Sequence, residues 1–423
     1  MYISGQKAPT MKSGITTKIL TGLAAVGPGL FLIGYNIGTG SVTTMAMAGA
    51  EHGMELAWAL VLSCIFTYIL MVAYGKTTIV TGHTALFNIR NNFRIGKPLA
   101  IYILIALITG EILALMGIFG IVSDLLQEGS RILFGGSGIS TFWITAFLVV
   151  SLYALLWFGK YQTFEKFLVF LVILMGLCFF VVFFMVKPSL SAIIKGLVPG
   201  IPNQEGALQL IAAMAGTTCS AAVFIVRSTV VAEKGWKISD LKTEKRDSAV
   251  SASMMFILSF VIMAVSAGTL HLMGLKLHNT VEMISLFEPL GGKIAAFILI
   301  LGIAGAGIST VFPIILIAPW LISDYMGRER NIKSPLFRIL GGIGILFGFG
   351  MQIIKTTPPL LMVGSQAFQA LILPAVAIPI LLLVNRKELM KEHCAGWKMN
   401  TGIIMVIIFS LVTSYFAIVD FMK

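Results

Sequence analysis

The sequence predicts an all-α integral membrane protein with eleven transmembrane helices. They form two five-helix units of opposite orientation, a 5+5 inverted repeat, and one extra helix. Three observations carry this. The 423 residues are 57% hydrophobic and only 11% charged, with a mean hydropathy of +0.96, whereas a soluble domain averages about 25% charged residues. Apolar runs long enough to span a bilayer, about 20 residues each, recur along the whole chain. Two of these runs, the first and the sixth, are interrupted by glycine and small hydroxyl residues at corresponding places.

The runs are 18–50, 54–75, 99–125, 141–159, 165–186, 206–233, 248–274, 293–323, 336–353, 358–384 and 400–421. Lipid-spanning barrels would instead show short alternating strands. No stretch between the runs is long enough for a soluble domain. Met1 to Lys18 is polar and basic, followed by an apolar run too long for a secretory signal core. The net charge of +12 follows the positive-inside pattern. The loops holding Lys7, Lys12 and Lys18; Lys76, Arg90, Arg94 and Lys97; Lys160 and Lys166; Lys234 to Arg246; Arg328 to Arg338; and Arg386 to Lys398 carry most of the basic residues. The alternate loops hold Arg131, Lys187, Lys195, Lys276, Lys293, Lys355 and Lys423. This bias predicts a plasma-membrane protein with a cytoplasmic N-terminus and an outside C-terminus, and the charge needs no nucleic-acid partner to explain it. Cys64, Cys178 and Cys219 lie in apolar runs and Cys394 in a basic loop, so no disulfide is expected.

The first interruption is Gly34-Tyr35-Asn36-Ile37-Gly38-Thr39-Gly40-Ser41. The second is Met214-Ala215-Gly216-Thr217-Thr218-Cys219-Ser220-Ala221-Ala222. Broken backbone at membrane depth persists only where protein buries it or it lines a cavity. In secondary transporters such breaks hold the substrate. Spans one and six open two five-span units, and because five is odd the units enter from opposite faces. The single transmembrane domain, 1–423, therefore divides into a first repeat at 18–190, a second at 200–385, and an extra helix at 400–421. Small residues also serve close helix packing, and either break alone would be open to that reading.

Further motifs fall into order along the chain. They are Gly27-Pro28-Gly29 before Gly34-Tyr35, then Val80-Thr81-Gly82-His83, then Ser365-Gln366 with Leu373-Pro374 and Ile378-Pro379-Ile380, and last Asn385-Arg386-Lys387-Glu388-Leu389-Met390. In this order and spacing the chain resembles the Nramp family of proton-coupled divalent-metal transporters, over nearly its whole length. The resemblance implies the LeuT-type fold and metal-ion symport by alternating access around segments 36–41 and 216–221. It also identifies departures. Ile37 stands where the family has a metal-binding Asp, Gly40 where it has Asn, and Ser220 where it has Met. Ala222 and Arg227 replace two histidines, and Ile108 replaces an Asp, but Glu111 is kept.

The substrate-binding candidates are therefore Asn36, Thr39, Gly40, Ser41, Thr217, Ser220 and Gln366, with Thr218 and Cys219 beside them. These donors contain no carboxylate and no thioether. Transition-metal selectivity rests on soft or imidazole ligands, so the resemblance implies metal transport with altered selectivity. Glu111 and Arg227 are the ionisable residues well inside spans, and such residues are functional candidates by default. They form a candidate proton or charge relay, with Arg227 either snorkelling to the nearby interface or pointing inward to Glu111 or an anionic group. Ser309 and Thr310 are a candidate sodium site or plain helix packing.

No Walker motif, nucleophile elbow or paired catalytic carboxylates occur, so neither an ATP-driven pump nor an enzyme is expected. No cofactor is expected either. The coupling ion is expected to be a proton or sodium, and the partners are membrane lipid and a small ion or solute, with the chain acting as a monomer. The scattered histidines show no metal spacing, and the 22 methionines read as adaptable packing. The glycine-rich break with Arg227 also suits a small organic zwitterion or anion of amino-acid type. A transport-dead sensor or scaffold is the third alternative.

Overall fold

The computed structural model describes residues 38–158, 161–327, 331, 333–354 and 356–422. No strand occurs among the described residues. The helices are α1 (Thr39–His52), α2 (Ala57–Thr81), α3 (Ala85–Asn92), α4 (Gly96–Phe134), α5 (Thr141–Phe158), α6 (Tyr161–Val186), α7 (Leu190–Gly196), α8 (Ala207–Thr218) and α9 (Ala221–Lys234). They continue as α10 (Leu241–Gly268), α11 (Gly292–Met326), α12 (Pro335–Leu346), α13 (Pro358–Asn385), α14 (Lys387–Met390) and α15 (Trp397–Phe421).

Among the described residues, nine helical stretches are long and apolar enough to cross a membrane. Phe170–Val186 with Leu190–Gly196, bent by 113°, brings the number to ten. Each coincides with one of the runs read from the sequence. Most of the first expected span, including Asn36 and Ile37, lies outside the described residues, so the count of eleven is not tested. The bend after α6 falls at Lys187-Pro188-Ser189, where proline cannot continue the helix. The Ser189 hydroxyl accepts a bond from the Ala192 N–H at 3.4 Å and starts α7.

Helix ends extend beyond the expected spans where polar helix-formers continue the pattern. The α10 helix begins at Leu241 rather than 248, because Lys242-Thr243-Glu244-Lys245-Arg246 is rich in straight-chain residues of good helix propensity. The α4 helix has 39 residues. At about 1.5 Å per residue this is roughly 58 Å, nearly twice the ~30 Å hydrocarbon core, so its ends project beyond it.

The core sits where α1, α4, α8, α11 and α13 meet. The α13 helix packs against α4, α8 and α15, α1 packs against α10, and α11 packs against α4 and α6. Two glycines permit the closest crossing. A Cβ on Gly216 would fall 1.8 Å from the Gln366 carbonyl oxygen, and one on Gly40 would fall 2.9 Å from Gln366 Nε2. Thus α13 runs against both interrupted spans at the same residue, Gln366, with its backbone toward Gly216 and its side chain toward Gly40.

Within the described residues, both interruptions are helical at positions expected to be unwound. The α1 helix already begins at Thr39 after the extended Gly38, so residues 39–41 are helical rather than unwound. In span six α8 runs to Thr218, and only Cys219 and Ser220 separate it from α9. The Cys219 N–H still reaches the Ala215 carbonyl at 2.7 Å. Thr67 on α2 donates to the Thr218 carbonyl at 2.9 Å, satisfying one of the acceptors that a helix end leaves open.

Candidate functional site between the two interrupted spans

The start of α1 and the α8–α9 junction face one another. The Ser41 and Thr217 hydroxyl oxygens are 3.0 Å apart and share a hydrogen bond. The first bond of α1 runs from the Val42 N–H to the Gly38 carbonyl at 3.2 Å. Its earlier amides therefore have no partner within the helix, and the positive end of its dipole is directed at the junction.

Around this contact lies a cavity of about 40 Å³. One water needs about 10–15 Å³ by this measure, so the space suits a few waters or a small ion. Its wall comes from five elements. Gly38, Gly40 and Ser41 belong to the start of α1; Glu111, Ala114 and Ile118 to α4; Thr217 and Ser220 to the α8–α9 junction; Thr310 and Ile314 to α11; and Met362, Gln366 and Gln369 to α13. The structure therefore unites Gly40, Ser41, Thr217, Ser220, Gln366, Glu111 and Thr310. These were separate groups of candidates in the sequence.

Other candidates lie elsewhere. Thr39 is fully buried, but its hydroxyl faces Gly307 of α11, where an added Cβ would come within 2.7 Å of it. Thr39 is not on the cavity wall. Ser309 is also off the wall, and its hydroxyl donates back to the Ala306 carbonyl at 2.8 Å. Thr310 donates to the same carbonyl at 2.7 Å, so the expected hydroxyl pair is divided. Cys219 is buried away from the wall.

Arg227 corrects both expectations made for it. It is fully buried, so it does not snorkel, and its guanidinium turns to α10 rather than to Glu111. It pairs with Asp247, with Glu244 Oε1 at 3.1 Å and with Ser248 Oγ at 3.2 Å, and its guanidinium carbon is 5.9 Å from the Trp236 ring centre. Two carboxylates already compensate this cation. Nothing in the sequence of span six announces them, since they follow 17 and 20 residues later.

Glu111 alters the expected chemistry of the cavity. It is the one ionisable side chain among the described residues of the wall, so the donor set does include an anion. Its Oε1 accepts a bond from Gln369 Nε2 at 2.9 Å. Gln369 Oε1 is buried with no hydrogen-bond partner among the described residues, although a buried amide oxygen without a partner is costly. Residues 1–37 contain no Asp or Glu, so that part of the chain can supply no second carboxylate. Gln369 and Met362 were not foreseen. Their spacing from Gln366, three and four residues, is the helical periodicity that aligns side chains on one face.

The family description "Natural resistance-associated macrophage protein-like", Nramp, matches residues 29–420. The chain belongs to the Nramp family. Relatives agree over the same extent. A protein of Pectobacterium carotovorum subsp. carotovorum named "Divalent metal cation transporter MntH" is 24% identical over 401 residues, covering 92% of this chain and 93% of its own length. A protein of Caldanaerobacter subterraneus subsp. tengcongensis with the same name is 23% identical over 407 residues, covering 92% and 91%. Among solved structures, the Eremococcus coleocola manganese transporter, bound to an aromatic bis-isothiourea compound, superposes with a TM-score of 0.69 at 18% identity, covering 97% of this chain and 88% of its own. A nucleobase-cation-symport-1 family transporter superposes with a TM-score of 0.57 at 14% identity, covering 94% and 92%. At these identities the structural likeness shows the fold, which is of the LeuT type. As an Nramp member the chain is a multi-pass membrane transporter rather than an enzyme.

Proposed function

We propose that this Nramp member is a secondary active transporter of a small metal cation, by kinship a divalent one. The cation would pass by alternating access through the cavity between the start of α1 and the α8–α9 junction. The reading is carried by Glu111, the one ionisable side chain among the described residues of the cavity wall. A divalent ion leaving water needs anionic oxygen to offset lost hydration. Gln366, Gln369, Ser41, Thr217, Ser220 and Thr310 would add neutral oxygens. The names carried by relatives, "Divalent metal cation transporter MntH" among them, support the same substrate class.

Selectivity would differ from that of the relatives, because Ile37, Gly40 and Ser220 stand in place of Asp, Asn and Met. Coupling to protons fits the presence of Glu111 better than coupling to sodium fits the divided pair Ser309 and Thr310. The basic loops support a cytoplasmic N-terminus and an outside C-terminus. The organic-zwitterion reading loses its main support, since Arg227 is paired with Glu244 and Asp247 and the cavity holds only a few water volumes.

The test is uptake into sealed proteoliposomes of manganese, cadmium, magnesium and calcium, each with and without an inward pH gradient. Saturable uptake of at least one ion, accelerated by the gradient, is the expected result. Folded, inserted protein that carries none of the four, but does carry amino acids, would overturn the proposal.

A further inference from the structure

The Arg227 cluster holds an uneven set of charges in a place closed to water. One guanidinium meets two carboxyl groups, and the side chains of Arg227, Glu244 and Asp247 are at most 1% exposed. With both acids ionised, the cluster would keep a net negative charge in the interior, which is expensive. Two carboxyl groups that share one site avoid this when one of them keeps its proton.

The hydrogen bonds show where that proton belongs. Glu244 Oε1 accepts from Arg227 Nη2 at 3.1 Å and from Ser248 Oγ at 2.8 Å, while Asp247 Oδ2 accepts from Arg227 Nη1. Glu244 Oε2 is buried and has no partner among the described residues. An ionised carboxylate accepts at both oxygens, whereas a carboxylic acid can carry its proton on the oxygen that no donor serves. A buried O–H without an acceptor costs far less than a buried bare charge.

Among the described residues, Arg227 and Asp247 are the charged groups that face Glu244. On α10 the buried face holds Glu244, Asp247, Ser248 and Ser251 at helical spacing, and Lys245 and Arg246 between them are exposed. On α9 the residues near the loop, Glu233 and Lys234, are exposed. From α2 the neighbour is Gly75, where a Cβ would collide with Glu244 Oε1. The next residue, Lys76, turns its ammonium to the Cys394 carbonyl at 3.3 Å.

We infer that Glu244 and Asp247 form a proton-binding site, filled at Glu244 Oε2, that latches α9 to α10 when the proton is bound and loosens the pair when it leaves. The site is separate from the cavity, since none of its residues is on the cavity wall. Its lever is α9, the second half of span six, which starts at the Ser220 junction. With the topology proposed above, the latch sits at the cytoplasmic end of both helices and answers to cytoplasmic pH.

The acid form holds the helices, so the latch's stability is present at low pH and lost as pH rises past the point where Glu244 gives up its proton. The experiment compares unfolding midpoints of full-length wild type and Glu244→Gln in detergent at about pH 5 and about pH 9. Gln has the shape of the protonated acid and is neutral at every pH. Near the acid end the two midpoints should agree within about 2 °C. Near the alkaline end Glu244→Gln should unfold a few degrees above wild type. A variant that is less stable at both pH values, fails to fold, or matches wild type at both would overturn the inference. Infrared difference spectra of wild type between the same pH values supply a second readout. A carboxylic-acid C=O band that is lost at the alkaline end is expected. The band should also vanish in Asp247→Asn, where one carboxylate faces one guanidinium and no proton is needed. No such band in wild type, or its persistence in Asp247→Asn, would overturn the assignment.

Discussion

Two polar clusters lie inside this apolar bundle, and they handle charge in opposite ways. Around Arg227 a guanidinium meets two carboxylates, Glu244 and Asp247, and the hydroxyl of Ser248, all fully or almost fully buried. Around Glu111 a carboxylate meets the amide of Gln369 and a cavity, with no cation on the described wall. Burying an ion is expensive in either place. The first cluster offsets the cost internally and therefore joins α9 to α10, with Glu244 also pressed against Gly75 of α2. The second places its carboxylate on the wall of a cavity, beside the Gln369 amide. Two ionisable residues that look alike in the sequence thus divide into one held between two helices by carboxylates and one placed on the cavity wall.

The sharpest way to break this comparison is to remove the cation from the first cluster. Arg227→Met leaves two carboxylates buried without a partner, and breaking a buried ion pair on one side costs about 3–5 kcal/mol. Thermal unfolding in detergent should show a drop of many degrees, partly restored by adding Glu244→Gln and Asp247→Asn. An unshifted unfolding midpoint would mean that the cluster does not support the fold.

A smaller loss of stability is expected for Gly216→Ala, because its Cβ would fall 1.8 Å from the Gln366 carbonyl oxygen and backbone must move. Overpacking of this kind costs about 1–3 kcal/mol. Gly40→Ala meets the flexible ends of the Gln366 and Met362 side chains and no backbone. It should leave the unfolding midpoint within a few degrees but lower cation uptake by filling the cavity. Equal loss of stability in the two variants would contradict the assignment of one glycine to packing and the other to the cavity.

The smallest expected effect, and the most direct sharpening of the substrate side, is a gain. Restoring the family's residues with Ile37→Asp and Ser220→Met should raise manganese affinity about tenfold, equivalent to ~1.4 kcal/mol. Calorimetry on the folded double variant measures it, and no gain would count against the alignment of the two interruptions.

Much of this was legible in the sequence. The apolar stretches among the described residues fall where bilayer length and hydropathy place them, because each must supply its own backbone bonding and an apolar surface. The interruptions led to Gly40, Ser41, Thr217 and Ser220, and the span-ten motif led to Gln366, all on one cavity. Thr39 escaped because α1 starts at that residue. On a helix, neighbouring residues point in different directions, so Ser41 reaches the cavity while Thr39 turns to Gly307. The cavity's anion escaped for another reason. Glu111 was recognised as intramembrane, but only packing of α4 against α13 brings it beside Gln369. Arg227's partners lie across a turn on the next helix, in a segment that reads as a cytoplasmic charge run.

The central claim is that Glu111 supplies the charge that holds a cation in this cavity, and replacing it with glutamine tests that claim most directly. Glu111→Gln keeps nearly the same shape and can still bond Gln369, so its unfolding midpoint should stay within a few degrees of wild type. Its affinity for the wild type's preferred cation, measured by calorimetry, should fall by at least about tenfold. Wild-type affinity in a folded Glu111→Gln variant would contradict the account.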